Sequence, residues 1–441
     1  MRIRENASLG RKETIMTTAK SMTTTSITKS IPRRSVLGGM AAAGALTVAR
    51  PHLARAQQGD INIGVLLPFT GSQGAYGPDM RKAAELTAKI LNDDAGGVLG
   101  GRKFKLFFED DESSPTAGLA ATKKLLEINK CVAVIGIWGS PIAMAIKPVL
   151  VNANTCMMVS GAANAITDGD TKGLVWRFQA KATDWGPAMA QAMLSRGWKT
   201  VSILAQQNPF VIPMIEPAKK TFAAAGAKVL DTVIYNPDQP SYRAEVQRIF
   251  GANPAPEAVM CLGLLTDFVS IVREAVRMGA TSKIMALSIM ADAEGKFVEA
   301  VGPDVAEGIE HFQPAPPLGS PSYKKFQKLM GATDENALYL FAGNTHDQIC
   351  TLALAMEKAK STDSLVYTKE IPAVDNPPGE EIDDILVALK KVREGVKINF
   401  QGAGSICDFD ARGDQLNRHY GHFRVEKGKQ VLVQIIKGPN G

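Results

Sequence analysis

The chain reads as an α/β protein built from two doubly wound lobes. Three observations predict this. Short apolar runs alternate with helix-length amphipathic segments from Asp60 onward, the pattern of βαβ units and parallel sheets. The alternation comes in two series of similar size. The length, 441 residues with 45% apolar and 21% charged, is that of two or more globular units and excludes a disordered tail, a coiled coil or a collagen-like repeat.

In the first series, Ile61–Leu67 is a strand followed by a Gly-rich loop and a helix around Asp79–Asn92. Strand Lys103–Glu109, helix Ala117–Asn129, strand Val132–Gly136, a helix from Pro141 and strand Thr155–Val159 follow. The second series opens with strand Thr200–Leu204 and helix Pro213–Ala225. Strand Lys228–Ile234, helix Tyr242–Phe250 and strand Ala258–Leu262 come next. In helix Thr266–Met278, apolar Phe268, Ile271, Val272, Ala275 and Val276 recur at i, i+3 and i+4, so one face is built to be buried. Strand Lys283–Leu287 ends the series. The tail adds a long helix over Tyr339–Lys358, a rigid loop at Pro372–Gly379 and a helix over Glu381–Glu394. Strand-like pieces follow at Ile398–Phe400, Cys407–Asp410, His422–Val425 and Val431–Ile436, the last two joined by a hairpin turn at Glu426–Lys429.

The formal charge of +6 is concentrated at the start of the chain. Residues 1–56 hold ten Lys and Arg against two acids, and the remaining 385 residues hold 40 basic and 42 acidic groups. The folded part therefore has no cationic excess for nucleic acid or anionic lipid. Arg33-Arg34 precedes an uncharged run of 15 residues, Ser35–Ala49, too short at about 1.5 Å per residue to cross about 30 Å of hydrocarbon. Ala54-Arg55-Ala56 is a small-x-small cleavage site, so residues 1–56 read as a signal peptide and the mature chain starts near Gln57. The arginine pair ahead of a Gly/Ala-rich run resembles a twin-arginine signal, with an ordinary Sec signal as the alternative. The five cysteines, Cys131, Cys156, Cys261, Cys350 and Cys407, all lie in apolar stretches and read as buried thiols, with one disulfide pair in an oxidising compartment as the alternative.

Catalytic patterns are missing. Neither Ser140 nor Ser160 sits in G-x-S-x-G, Gly295-Lys296 and Gly428-Lys429 do not complete a phosphate loop, and Gly96–Gly101 lacks G-x-G-x-x-G order. His419 and His422, three apart in a strand, fall on opposite faces and do not make a metal site. Asp110-Asp111-Glu112 reads as a solvated loop. Binding is favoured over catalysis.

The order of motifs then points to a family. Gly64-Val65-Leu66-Leu67-Pro68-Phe69-Thr70-Gly71, Tyr76-Gly77 and Asn92–Gly101 are similar to the opening of type I periplasmic solute-binding proteins of the leucine/isoleucine/valine-binding class. Glu109-Asp110-Asp111, Val134-Ile135-Gly136 with Ser140, Ser160–Asn164, Trp176-Arg177, Gly302–Gly308, Phe400–Gly404 and Phe409–Asp414 continue the resemblance over nearly all of residues 60–436. It implies two lobes joined by a three-strand hinge: residues 57–180 and 311–395 in lobe 1, 181–310 and 396–441 in lobe 2. It implies a periplasmic protein, a monomer without cofactor or metal, that captures a small solute in the interlobe cleft for an inner-membrane ABC permease. A ligand-sensing module of the same fold and a secreted hydrolase are the alternatives.

Gly139-Ser140-Pro141 places a hydroxyl at a plausible helix N-cap with Pro at the first helical position, where a carboxylate is a natural guest. By resemblance, Ser140, backbone groups of Ala162 and Ala163, and Asn164 hold the solute's carboxylate and amine, and Tyr76 and Phe210 cover it. Trp138 stands beside Ser140. Two positions depart from the amino-acid binders. Ser288 stands where an acid receives the ammonium, and Leu264-Leu265 replace an aromatic pair. A buried ammonium without a carboxylate is unfavourable, so the expected guest is a small carboxylate with an apolar or aromatic body, amino acids included, with Asp184 or Asp292 able to supply the charge.

Overall fold

Strand β1 (Ile61–Leu67) is buried along almost its whole length, as a strand covered by helices on both faces must be. In the computed structural model, which describes residues 59–291, 295–334, 337–416 and 419–438, it lies inside a parallel sheet with β2 (Phe104–Asp110), β3 (Ala133–Ile137), β4 (Cys156–Val159) and β5 (Val175–Arg177). The order is β2-β1-β3-β4-β5. Helices α1 (Gly77–Lys89), α2 (Pro115–Glu127) and α3 (Ser140–Asn152) make the crossovers. The expected leader and Asp292 lie outside the described residues.

The second sheet repeats the scheme. After α4 (Ala182–Ser195) come β6 (Thr200–Gln206), α5 (Ile212–Ala224), β7 (Lys228–Tyr235), α6 (Arg243–Phe250), β8 (Ala258–Leu262), α7 (Leu265–Arg277) and β9 (Lys283–Leu287). Short helices α8 (Ser288–Ala291), α9 (Lys296–Val301) and α10 (Pro303–Ala306) lead to β10 (Glu310–Pro314). The parallel part runs β7-β6-β8-β9-β10, the same order as the first sheet. Each sheet thus has a switch point, between β1 and β3 and between β6 and β8, where crevices form at the carboxyl ends of strands.

The chain then returns to the first lobe with α11 (Pro321–Leu329), α12 (Leu340–Ala359), α13 (Ser364–Tyr367), α14 (Ile371–Asp375), β11 (Glu380–Ile382), α15 (Ile385–Arg393) and β12 (Ile398–Phe400). Antiparallel β13 (His419–Glu426) and β14 (Lys429–Lys437) complete the second sheet beside β10. Lys427 and Gly428 join them, both at positive φ (52° and 72°), as a two-residue hairpin turn of the primed type requires.

Four expectations are corrected. Glu310 does not mark the return crossing: it opens β10 in the second sheet, and the chain leaves only after Pro314. The crossing expected near Val396 comes later too, because β12 pairs with β11 in the first lobe, and residues 413–415 then run beside β5, with the Arg177 N–H bonded to Gly413 O at 2.8 Å and the Gln415 N–H to Arg177 O at 3.1 Å. The segment Pro372–Gly379 is not all loop; Pro372 is the second residue of the helical turn α14, in the first turn, where its missing N–H is no loss. Cys407–Asp410 is no strand. Its Phe409 N–H and C=O are satisfied instead by the Asn376 side-chain amide, at 2.9 and 2.7 Å.

All five cysteines are buried and unpaired. At the hinge, Arg177 is fully buried. It pairs with Asp414 at 2.8 Å and donates to Ala162 O at 2.7 Å and Thr167 Oγ1 at 2.8 Å. A charge removed from water this completely persists only with such a full set of partners.

Candidate functional site

The loops at both switch points converge. Gln73 follows β1, Trp138–Pro141 follow β3, Ser160–Ala162 follow β4, Asn208 and Phe210 follow β6, Leu264 follows β8, and Ile289 follows β9. Together with Gln179, Trp185 and Phe341 they line an interlobe cleft of about 470 Å³, part of it open to solvent.

Aromatic rings form its walls. On the first-lobe side Tyr76, Trp138 and Phe341 pack mutually, with ring centroids 5.1–5.2 Å apart. On the second-lobe side Trp185 and Phe210 meet edge to face at 5.3 Å, and the Trp185 indole N–H is fixed by Ala180 O at 2.9 Å. Rings held in this way present rigid apolar surface to a guest.

The polar end is built around Ser140. Gly139, at φ +88°, takes the cap position of α3, and Ser140 is the first helical residue rather than its N-cap. A side chain at Gly139 would be strained by that φ and would press on Ile142 at 2.9 Å. Freed from capping, the Ser140 Oγ accepts the backbone N–H groups of Ala162 at 3.2 Å and Ala163 at 3.0 Å. A hydroxyl oxygen that accepts two hydrogen bonds is polarised to donate its own proton. The Ala162 carbonyl is likewise committed, to Arg177 and to the Ala182 N–H at 2.7 Å.

Of the residues singled out from sequence, Trp138, Ser140, Ala162, Phe210 and Leu264 line this cleft. Tyr76 is buried behind Trp138 and Phe341. Ala163 is buried in the first-lobe core and contributes its amide to Ser140. Asn164 does not line the cleft; its side-chain amide faces Thr183 Oγ1 of α4 at 3.4–3.5 Å. Ser288 is buried and does not line the cleft, with its hydroxyl 2.8 Å from His311 Nδ1. Burial pushes the His311 imidazole down to about 3, with His422 adding to the shift, so this pair is neutral. Asp184, whose carboxyl is raised by burial, is not among the lining residues. Among the described lining residues none carries a formal charge.

Sequence reasoning missed Gln73, Gln179, Trp185, Asn208, Ile289 and Phe341. Asn208 stands two residues before Phe210 in a loop already singled out, and its Oδ1 accepts the Phe210 N–H at 2.8 Å, the local turn its side chain favours. Phe341 lies in the first turn of α12, 201 residues downstream of Ser140, and no local pattern marks it.

The periplasmic binding protein family model matches residues 60–383. The chain belongs to that family. This binding protein is 25% identical over 393 residues to the Leu/Ile/Val-binding protein BraC3 of Rhizobium johnstonii, spanning 88% of this chain and 98% of that one. Its fold is similar to a leucine-binding protein, LivK, from Thermotoga maritima (TM-score 0.71, 22% identity, 85% of this chain and 98% of that one). It is also similar to a solute-binding protein of an ABC transporter from R. palustris in complex with benzoate (TM-score 0.67, 17% identity, 86% and 97%). The family match assigns the chain the role of a periplasmic binding protein.

Proposed function

We propose that this binding protein, exported by its leader, captures a small carboxylate with an aromatic or branched apolar body in the interlobe cleft and delivers it to an inner-membrane permease. The observation that carries this reading is the composition of the cleft: aromatic walls from both lobes, at one end the Ser140 hydroxyl polarised by two backbone amides, and no acidic side chain among the described lining residues. An α-amino acid would bring an ammonium needing a carboxylate partner. An aromatic or aliphatic acid needs none. The benzoate complex of one structural relative supports the same guest class, while the leucine-binding relative keeps branched-chain amino acids as the second reading.

Calorimetry with benzoate, benzamide, leucine and isoleucine tests it. Benzoate is expected to bind and its neutral amide to bind at least about tenfold more weakly, the loss of one charge-assisted hydrogen bond. Binding of leucine, lost on Asp292→Asn, would give the second reading instead. Binding of benzamide alone would overturn both.

A further inference from the structure

The cleft continues toward the hinge, and there its chemistry changes. A narrow second space, about 400 Å³ when the adjoining open solvent is included, shares Gln179, Trp185, Ile289 and Phe341 with the first and adds Gln313, Asn344 and Gln415. Each chain crossing supplies one glutamine: Gln179 just after β5, Gln313 in β10, and Gln415 in the segment bonded to Arg177. Gln313 and Gln415 are 4% and 3% exposed, and the Nε2 of each is buried without a hydrogen-bond partner in the structure. Gln179 Oε1 accepts the Ala180 N–H at 3.1 Å, leaving its NH₂ as a donor.

Buried donors without acceptors are unfavourable and rare in folded proteins. Two of them at the end of a ligand cleft, beside a third amide, call for an acceptor that arrives with the guest. We propose that this hinge-side compartment receives a hydrogen-bond acceptor, a carbonyl or carboxyl oxygen, at the far end of the solute from the carboxylate at Ser140. The protein thereby selects two-headed acids over simple ones. This rests on the carboxylate reading above and specifies the substrate class of the same site.

The test uses near-isosteric ligands. 4-Acetylbenzoate and 4-isopropylbenzoate differ chiefly in one acceptor oxygen. The full-length mature protein is expected to bind the former about tenfold tighter. Gln313→Met and Gln415→Met, which keep length and remove the donor, should bring the ratio to within about threefold. Gln415→Glu, which sets an acceptor against an acceptor, should bring the preference down at least as far, and serves if the Met variants fold poorly. Benzoate binding with a ratio near one in the unmodified protein overturns the compartment and leaves the carboxylate reading standing. Failure of every benzoate to bind overturns both. A ratio unmoved by any of the three substitutions places the acceptor elsewhere and also overturns the compartment.

Discussion

Ser140 stabilises the fold and, on the proposed reading, prepares the site through one oxygen. Its hydroxyl satisfies the Ala162 and Ala163 amides, so Ser140→Ala leaves two buried donors unpaired and removes a donor from the cleft. The expected result is a loss of about 1–3 kcal/mol in urea unfolding and an affinity for benzoate at least about tenfold weaker; unchanged affinity would detach the carboxylate from Ser140. A second single-residue effect lies in α12. Asp347 is buried and accepts the N–H groups of Ala403, Gly404 and Ser405 at 2.7–3.2 Å. Burial nevertheless pushes its carboxyl up to about 7. The folded state then holds this proton more tightly than the unfolded chain, whose carboxyl titrates near 4. Its stabilising contribution is present below about pH 4 and lost as pH rises toward 7. Melting of the native protein against Asp347→Asn from pH 4 to 8 should show the native protein losing ground to the variant through that window; a constant difference would mean an unshifted carboxylate. At this scale the site was only partly legible. Trp138, Ser140 and Phe210 follow strand ends, and strand ends can be read from apolar runs. The direction of a side chain cannot: Asn164 and Ser288 stood at the expected places along the chain, yet one faces Thr183 and the other His311.

Helix packing in the second lobe depends on a missing side chain. Gly186 of α4 lies so close to α5 that an added Cβ would stand 2.1 Å from Met214 O. Alanine is the better helix former by about 1 kcal/mol, but a clash with backbone has no flexible neighbour to absorb it and the helices must separate. Gly186→Ala is therefore expected to destabilise by about 2–3 kcal/mol despite its propensity, read as a lower urea midpoint; an unchanged or raised midpoint would mean that α4 and α5 shift freely. The elements themselves were largely legible because both sheets are buried on two faces, which forces continuous apolar runs such as Ala258–Leu262. The errors share a physical cause. Cys407–Asp410 looks like a strand because Phe409 packs against Trp176 and Phe178 at 5.3 and 5.0 Å, while a side-chain amide replaces the neighbouring strand. Its pattern of burial is that of a strand and its hydrogen bonding is not. The crossings after β10 and β12 were placed too early because sheet membership depends on which partner is nearby, a long-range fact absent from any window of sequence.

The two lobes share one strand order and present their switch-point loops to one cleft, so a guest must touch both to bury its surface. Trp138 belongs to the first lobe and Trp185 to the second, and both line the cleft. Binding should therefore alter the emission of each. With benzoate, or whichever acid calorimetry selects, Trp138→Phe and Trp185→Phe should each retain part of the fluorescence change seen in the native protein, and the double substitution should abolish it; Trp176 and Trp198 lie outside the lining and supply a constant background. The same two-sided contact links binding to stability. At a hundredfold excess over its dissociation constant the guest adds about 2.7 kcal/mol to unfolding, and because it holds both lobes, that gain belongs to a transition in which they unfold together. A signal lost entirely with Trp138 alone would mean that the guest rests on the first lobe, and closure of the second lobe over it would have no part in retention.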